Sequence, residues 1–226
     1  DYRLAGIGRA YGPPTNFPGT HAWLYRNDGG RYTDVSAEAG VQVANPATGE
    51  PAGKGLALRV DDPDDDGWPD VIVANDTVRN FFFRNREGRF EESGIATGIA
   101  FDNSGGATGA MGIDAAHGGA DGRYAVAIGN FANEMTSYFV APDASLLFTD
   151  EAIVAGIGPP TRLVLSFGLF FFDADLDGRV DLLQANGQVE DDINLVQASQ
   201  QHRQPAQLFW DCGGCPRQFV ELPADL

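Results

Sequence analysis

Two stretches of this sequence repeat one acidic pattern, D-x-D-x-D-G-x-x-D, starting at Asp62 and at Asp173. Carboxylates at alternate positions before a glycine would repel one another at close range unless a cation neutralised them. Calcium takes six to eight oxygen ligands, which a loop of this kind supplies from side chains and a backbone carbonyl. The pattern therefore predicts two calcium loops, and a solvated acidic turn is the alternative interpretation of either copy.

The residues after each loop decide which kind of calcium loop it is. An EF-hand requires a glutamate at its twelfth position, where this chain has Val73 and Gln184. The runs 71–75 and 182–186 are short and mostly apolar, which predicts buried strands rather than helices. Each loop is therefore predicted to join two strands. The predicted metal ligands, of which the fourth in each loop acts through its backbone carbonyl, are Asp62, Asp64, Asp66, Trp68 and Asp70, and Asp173, Asp175, Asp177, Arg179 and Asp181.

A third, degenerate copy lies between the other two and gives the chain a regular period. The copy starts at His117, so the loop starts are 55 (117 − 62) and 56 (173 − 117) residues apart. It keeps its glycines and Asp121, but His117, Gly119 and Ala125 replace three ligand aspartates. One aspartate cannot hold calcium, so this third loop is predicted to be empty. A period of this length indicates propeller blades or a solenoid.

Each repeat continues with an aromatic hairpin. Apolar runs separated by Asn, Asp or Gly predict hairpins at 23–32, 81–90 and 208–220, with a weaker version at 138–143. Two strands around the acidic loop plus a hairpin make a four-stranded unit, and such units in series are blades of a β-propeller. The predicted fold class is thus all-β, a β-propeller of four-stranded blades.

The predicted organisation is a single propeller segment over residues 1–226. It contains a half blade at 1–40 and blades at 53–98, 108–157 and 163–222, the last with an insert at about 188–205. Asp191 and Asp192 before Ile193 predict a short helix in that insert. About three and a half blades are fewer than the four to eight of a closed ring. We expect the missing part to come from a longer precursor, another chain or a second copy.

These motifs together resemble the FG-GAP/VCBS-repeat proteins, in particular bacterial relatives of cartilage acidic protein with an integrin-α-like propeller. The resemblance covers most of residues 20–222, and by it the acidic loops are calcium sites in a family that is mostly exported and non-catalytic. The chain departs from the family at Gln188, where a histidine is common. The matching stretches are 24–28, 32–35, 54–56, 66–70, 73–76, 83–85, 111–114, 167–168, 185–187 and 204–209.

Charge and hydropathy exclude several kinds of partner. The formal net charge is −17, and two bound Ca²⁺ would leave −13 (−17 + 4). Such an acidic chain argues against nucleic acid and anionic membranes as partners. No stretch approaches the ~20 apolar residues of a membrane span. The N-terminus lacks the features of a signal peptide, so we expect a mature chain or a piece of a longer one.

The two cysteines, Cys212 and Cys215, form a lone C-x-x-C motif at the tip of the last predicted hairpin. A redox motif, half of a zinc site and a local disulfide are the three interpretations. A zinc site would need further ligands, and a thioredoxin-like motif would need a helix after it. A disulfide is the prediction, which places the chain outside the cell, on its surface or in the periplasm.

The sequence contains no recognisable catalytic constellation. Its histidines, His21, His117 and His202, occur in none of the hydrolase motifs. We therefore expect an exported calcium-binding propeller module that binds a protein or carbohydrate partner. The alternatives are a propeller enzyme, a hydrolase or lyase with its active site in the channel, and a structural subunit that completes its ring with a partner chain.

Overall fold

The computed structural model describes residues 2–4, 8–10, 12–118 and 123–223, with side chains from residue 12 onward. The strands are β1 (Tyr2–Leu4), β2 (Gly8–Ala10), β3 (Tyr25–Asn27), β4 (Tyr32–Asp34), β5 (Gly55–Asp61), β6 (Asp70–Asn75), β7 (Phe81–Arg86), β8 (Arg89–Glu92), β9 (Ala110–Gly118), β10 (Arg123–Asn130), β11 (Ser137–Ala141), β12 (Thr149–Asp150), β13 (Ser166–Phe172), β14 (Asp181–Asn186), β15 (Gln207–Asp211) and β16 (Phe219–Leu222). The helices are a 3-10 turn at Pro14–Asn16 and the four-residue helices α1 (Ser36–Ala39), α2 (Gly94–Thr97), α3 (Ala152–Ala155), α4 (Gly158–Thr161) and α5 (Ile193–Val196).

The strands form three four-stranded sheets and two two-stranded ones. Each larger sheet is an antiparallel meander in chain order, β5 to β8, β9 to β12 and β13 to β16. β1 pairs with β2, and β3 pairs with β4. The predictions of an all-β chain and of four-stranded units are confirmed, while closure of a ring stays a prediction.

Consecutive meanders pack face to face, and the alternation of side chains along each strand supplies both faces. Phe82 of β7 and Phe139 of β11 lie in the core between the first two meanders. Tyr138, the neighbour of Phe139, points the other way and packs in the core between the second and third meanders with Leu182 and Phe209. β11 is buried at all five positions because it contributes to both cores.

Glycines allow the second and third meanders to approach closely. A Cβ added at Gly112 of β9 would lie 2.2 Å from the carbonyl oxygen of Phe167 in β13. One added at Gly129 of β10 would lie 2.5 Å from the carbonyl oxygen of Ser166. No side chain fits at either position, so this part of the blade-like stack depends on glycine.

In three successive sheets, a short helix and a glycine follow the last strand of the sheet, which we call its outer strand. Sequence reasoning missed this helix-and-glycine junction. Helices α1, α2 and α3 end at Gly40, Gly98 and Gly156, with φ of 88°, 86° and 99°. The spacing is 58 residues twice (98 − 40 and 156 − 98). A Cβ on each would lie within 2.6 Å of a carbonyl oxygen at or beside the outer strand of the next sheet. The hairpin β3–β4 ends in this junction as the hairpins β7–β8 and β11–β12 do.

Three smaller predictions concern the insert, the membrane and the third loop. The short helix predicted in the insert is confirmed as α5. Within the described ranges, no helix has the length and apolarity needed to cross a membrane. The third loop, predicted to be empty, falls largely on residues 119–122, which lie outside the described residues.

Candidate metal centres

The two acidic loops lie where they were predicted, between β5 and β6 and between β13 and β14. In the first, Asp62, Asp64 and Asp66 each place a carboxylate oxygen within 4.8 Å of the others. Asp173, Asp175 and Asp177 do the same in the second loop. The structure thus gathers three predicted carboxylates per loop, a spacing that one cation can bridge. The fourth aspartates, Asp70 and Asp181, are the first residues of the strands that follow.

The two loops share one backbone conformation. The Asp62 carboxylate accepts hydrogen bonds from the amides of Asp66 (3.1 Å) and Gly67 (2.9 Å). The Asp173 carboxylate accepts the equivalent pair from Asp177 (3.0 Å) and Gly178 (2.9 Å). Gly67 and Gly178 have φ of 85° and 87°, which explains the glycine after the third aspartate, since this region is unfavourable for other residues.

The predicted carbonyl ligands follow those glycines directly. The amide of Trp68 donates to Asp66 Oδ1 and that of Arg179 donates to Asp177 Oδ1, both at 2.9 Å. These bonds orient the third carboxylate of each triad. The part of the two carbonyls in metal binding stays a prediction.

The hairpin of the same sheet holds each loop, which sequence reasoning did not foresee. At the first loop, Arg84 Nη2 donates to Asp64 Oδ2 (2.8 Å) and the Asn85 amide donates to Asp70 Oδ1 (2.7 Å). Arg86 adds an ion pair to Asp66 at 3.3 Å. These residues of β7 lie 15 or 20 positions after their partners in the sequence, so only the strand register reveals the contacts.

At the second loop, an aromatic side chain replaces the first of those arginines. Trp210 Nε1 donates to Asp175 Oδ2 (2.8 Å), and the Asp211 amide donates to Asp181 Oδ1 (2.8 Å). Arg179 is ion-paired with Asp177 and donates from Nε to the Asp211 carbonyl at 3.0 Å. The second loop therefore has one arginine where the first has two.

Asp70 and Asp181 differ in a way that one residue explains. Asp181 Oδ2 accepts a hydrogen bond of 2.9 Å from the amide of Ala174, the second loop residue. The first loop has Pro63 at that place, and proline has no N–H. Asp70 is only 2% exposed, and within the described part of the chain its Oδ2 has no hydrogen-bond partner.

This environment makes the charge of Asp70 costly. Burial raises the pKa of the Asp70 carboxyl to about 6, and the negative charges of Asp64 and Asp66 add to the shift. The Asn85 amide and the Arg84 guanidinium oppose it without cancelling it. Two arginines against the four aspartates of the acidic pattern leave the first loop short of positive charge beside the free Asp70 Oδ2. A hard divalent cation with oxygen preference supplies that charge.

The cysteines form the predicted disulfide, Cys212–Cys215, in the turn between β15 and β16. This turn touches the second acidic loop, because the Arg179 guanidinium lies against the backbone of Gly213. The disulfide therefore closes the segment that directly follows Trp210 and Asp211, the two residues that hold the loop.

Asp114, near the degenerate loop, is engaged in a link between sheets rather than facing His117. Its two carboxylate oxygens accept hydrogen bonds from Arg59 Nη1 (2.9 Å) and the Phe171 amide (2.8 Å), which belong to the neighbouring meanders. The His117 ring instead packs edge-on against Tyr124, with the centroids 5.0 Å apart. This arrangement speaks against acid–base chemistry by the two residues.

Comparison with known proteins adds no identity to these observations. A scan against models of known protein families finds no match, and a search of curated proteins finds none either. The function of the chain is therefore inferred from its own residues.

Proposed function

We propose that this chain is an exported calcium-binding module of the β-propeller type, which acts in binding or assembly rather than in catalysis. The observation that carries the calcium assignment is the pair of aspartate triads, together with the buried Asp70 carboxylate whose Oδ2 is free beside the first triad. A solvated acidic turn would leave its carboxylates exposed, whereas Asp70 is 2% exposed.

Calcium has a structural role in this proposal. It neutralises each triad and fixes the turn from the first to the second strand of its sheet, β5 to β6 and β13 to β14. The residues fit the ion because aspartate oxygens and a backbone carbonyl are the ligands it prefers. Extracellular calcium modules bind with Kd on the order of 10⁻⁴–10⁻³ M, so the ion would be present in calcium-rich surroundings.

The remaining parts of the proposal have separate support. The Cys212–Cys215 disulfide fits an oxidising compartment outside the cytosol. The stacked four-stranded meanders fit consecutive blades of a propeller, completed by further strands. A role in binding fits the large apolar side chains that remain exposed on β5 and β13, the first or inner strands of their sheets.

Isothermal titration with calcium, in a chain first stripped by chelator, tests this function. The expected stoichiometry is two ions per chain, falling to one in Asp64→Asn and in Asp175→Asn. The control is Asp28→Asn, an exposed aspartate that lies outside both loops and should leave two sites. Absence of calcium binding by the unaltered chain at millimolar concentration would refute the proposal, and so would equal loss in the control.

A further inference from the structure

One row of apolar side chains on β5 is bare. Leu56, Leu58 and Val60 are 56%, 61% and 53% exposed. On the same face of this sheet, Phe81 and Phe83 of β7 are buried at 4% and 2% exposure. On this face of the sheet, the side chains of β7 are therefore covered and those of β5 are not.

The residue equivalent to Leu58 is covered in each of the other two meanders. Leu58 pairs with Val73 across β5 and β6, and Leu169 pairs with Gln184 across β13 and β14. Both members of the second pair lie 111 residues after those of the first (169 − 58 and 184 − 73), so Leu169 is the equivalent of Leu58. Leu169 is 8% exposed, because the preceding sheet packs against it. In β9 the equivalent residue, Ile113, packs against the core shared with the preceding sheet. Among these three equivalent residues, only Leu58 is exposed.

The hairpin β3–β4 accounts for the half of the face that is covered. Leu24 and Val41, from its flanks, pack with Phe81 and Phe83. Among the described strands β3 pairs only with β4, so its other edge is open at the place where β7 pairs with β6. A groove of about 380 Å³ lies beside the bare row, lined by Leu56 and Leu58 on one side and by Trp23, which precedes β3, on the other.

The open edge also carries an arginine whose equivalent in the next hairpin holds an acidic loop. Asn27 Oδ1 accepts from the Gly30 amide as Asn85 Oδ1 accepts from Gly88, so the two turns match with an offset of 58 residues (85 − 27). By that offset Arg26 corresponds to Arg84, which holds Asp64 of the first acidic loop. Arg26 is 59% exposed and pairs only with the nearby Asp28 among the described residues.

We infer that the open edge of β3 and the bare row of β5 form a docking site for a polypeptide β-hairpin, two antiparallel strands joined by an acidic D-x-D-x-D-G loop. Its strands add to β3 and cover Leu58 and Val60, while Arg26 reaches the acidic loop. Main-chain hydrogen bonds to an open edge supply affinity and the apolar row supplies specificity. A second copy of this chain fits less well, because its described acidic-loop hairpins are already paired with their own outer strands.

A direct binding experiment tests this site. The probe is a fluorescein-labelled peptide of residues 55–75, which contains one acidic loop and both strands beside it. Its anisotropy is followed while the full chain is added, in calcium and in chelator. A peptide of the same composition in scrambled order is the control probe. Saturable binding of the native sequence alone is expected.

The chain variants distinguish the site from general adhesion. Leu58→Asp should weaken binding about tenfold or more, since apolar anchors dominate such interfaces. Arg26→Ala should weaken it about threefold and reduce its dependence on salt. Leu195→Asp, on α5, changes a leucine that is even more exposed than Leu58 and should have no effect.

Three results would overturn the inference. They are the absence of saturable binding up to about 1 mM, equal binding by Leu58→Asp and the unaltered chain, and self-association through this face that Leu58→Asp abolishes. The last result would make a second copy the occupant. The site does not rest on the calcium assignment, so binding in chelator would support docking even if the loops bound no calcium.

Discussion

Replacing Asp70 and Asp181 by asparagine should have opposite effects on the metal-free chain. The two aspartates occupy the same place after their loops, but only Asp181 has both oxygens hydrogen-bonded to amides, those of Asp211 and Ala174. At Asp70, one oxygen accepts from the Asn85 amide and the other has no partner among the described residues. An asparagine at 70 can keep the Asn85 bond, whereas one at 181 must lose a bond.

The magnitude follows from the pKa of Asp70. Burial raises it from 3.8 to about 6, and one pKa unit corresponds to about 1.4 kcal/mol. Ionised Asp70 therefore lowers the free energy of unfolding of the metal-free chain by up to about 3 kcal/mol at pH 7. The folded state holds this proton more tightly than the unfolded state, so the stability is full below about pH 4 and is lost as pH rises through about 6.

Thermal unfolding in chelator, followed by circular dichroism between pH 4 and 7.5, measures both effects. Asp70→Asn should match or exceed the unaltered chain at pH 7 and should remove the loss of stability between about pH 4 and 6. Asp181→Asn should be less stable by about 1–3 kcal/mol, because a buried amide group then faces a donor. In millimolar calcium, Asp70→Asn should gain less stability than the unaltered chain. If both variants lose equal stability in chelator, the account of Asp70 is wrong.

Three further predictions concern Pro63 in the first loop, the disulfide, and the packing of β9 on β13. Pro63→Ala supplies an amide for Asp70 Oδ2 and should lower the pKa of Asp70, so the pH dependence of melting in chelator should flatten; an unchanged pH dependence would contradict this. The double change Cys212→Ser and Cys215→Ser should lower the free energy of unfolding by about 2 kcal/mol and should lower calcium affinity at the second loop only. Titration calorimetry in Asp64→Asn and Asp175→Asn backgrounds measures the two loops separately, and equal loss of affinity at both would refute the coupling. Gly112→Ala should lower the melting temperature sharply because its Cβ would lie 2.2 Å from a carbonyl oxygen. Gly214→Ala is the control and should not, because a Cβ there would have no atom within 4 Å. Similar melting of both variants would count against the tight packing of β9 on β13.

The acidic loops could be predicted from the sequence because all their defining residues lie within nine positions of one another. The D-G step requires a left-handed glycine, and the apolar runs after it read directly as β6 and β14. The four-stranded sheets follow from the same local patterns. Alternation and turn residues thus determine most of the strands without any long-range information.

The contacts that distinguish the two loops could not be predicted in this way. Arg84 and Trp210 reach their loops across the sheet, at sequence separations of 20 and 35 residues from Asp64 and Asp175. Their role depends on strand register, which the motif does not contain. Pro63 is evident in the sequence, but its effect on Asp70 follows only from the structure, in which the amide of the equivalent Ala174 donates to Asp181.

The helix junctions were missed for another reason. Helices α1, α2 and α3 have four residues each, too few for an amphipathic period to show. Their signal was the glycine at constant spacing, Gly40, Gly98 and Gly156, rather than a hydrophobic pattern. The same spacing relates the hairpin β3–β4 to the hairpins β7–β8 and β11–β12, and the docking site depends on this correspondence.

Native mass spectrometry of the intact chain, with calcium and after chelation, tests the central claim most directly. We expect two calcium ions per chain that are lost in chelator, with one ion remaining in Asp64→Asn. A chain that carries no calcium at millimolar concentrations of the ion, or that keeps two ions in Asp64→Asn, would contradict it.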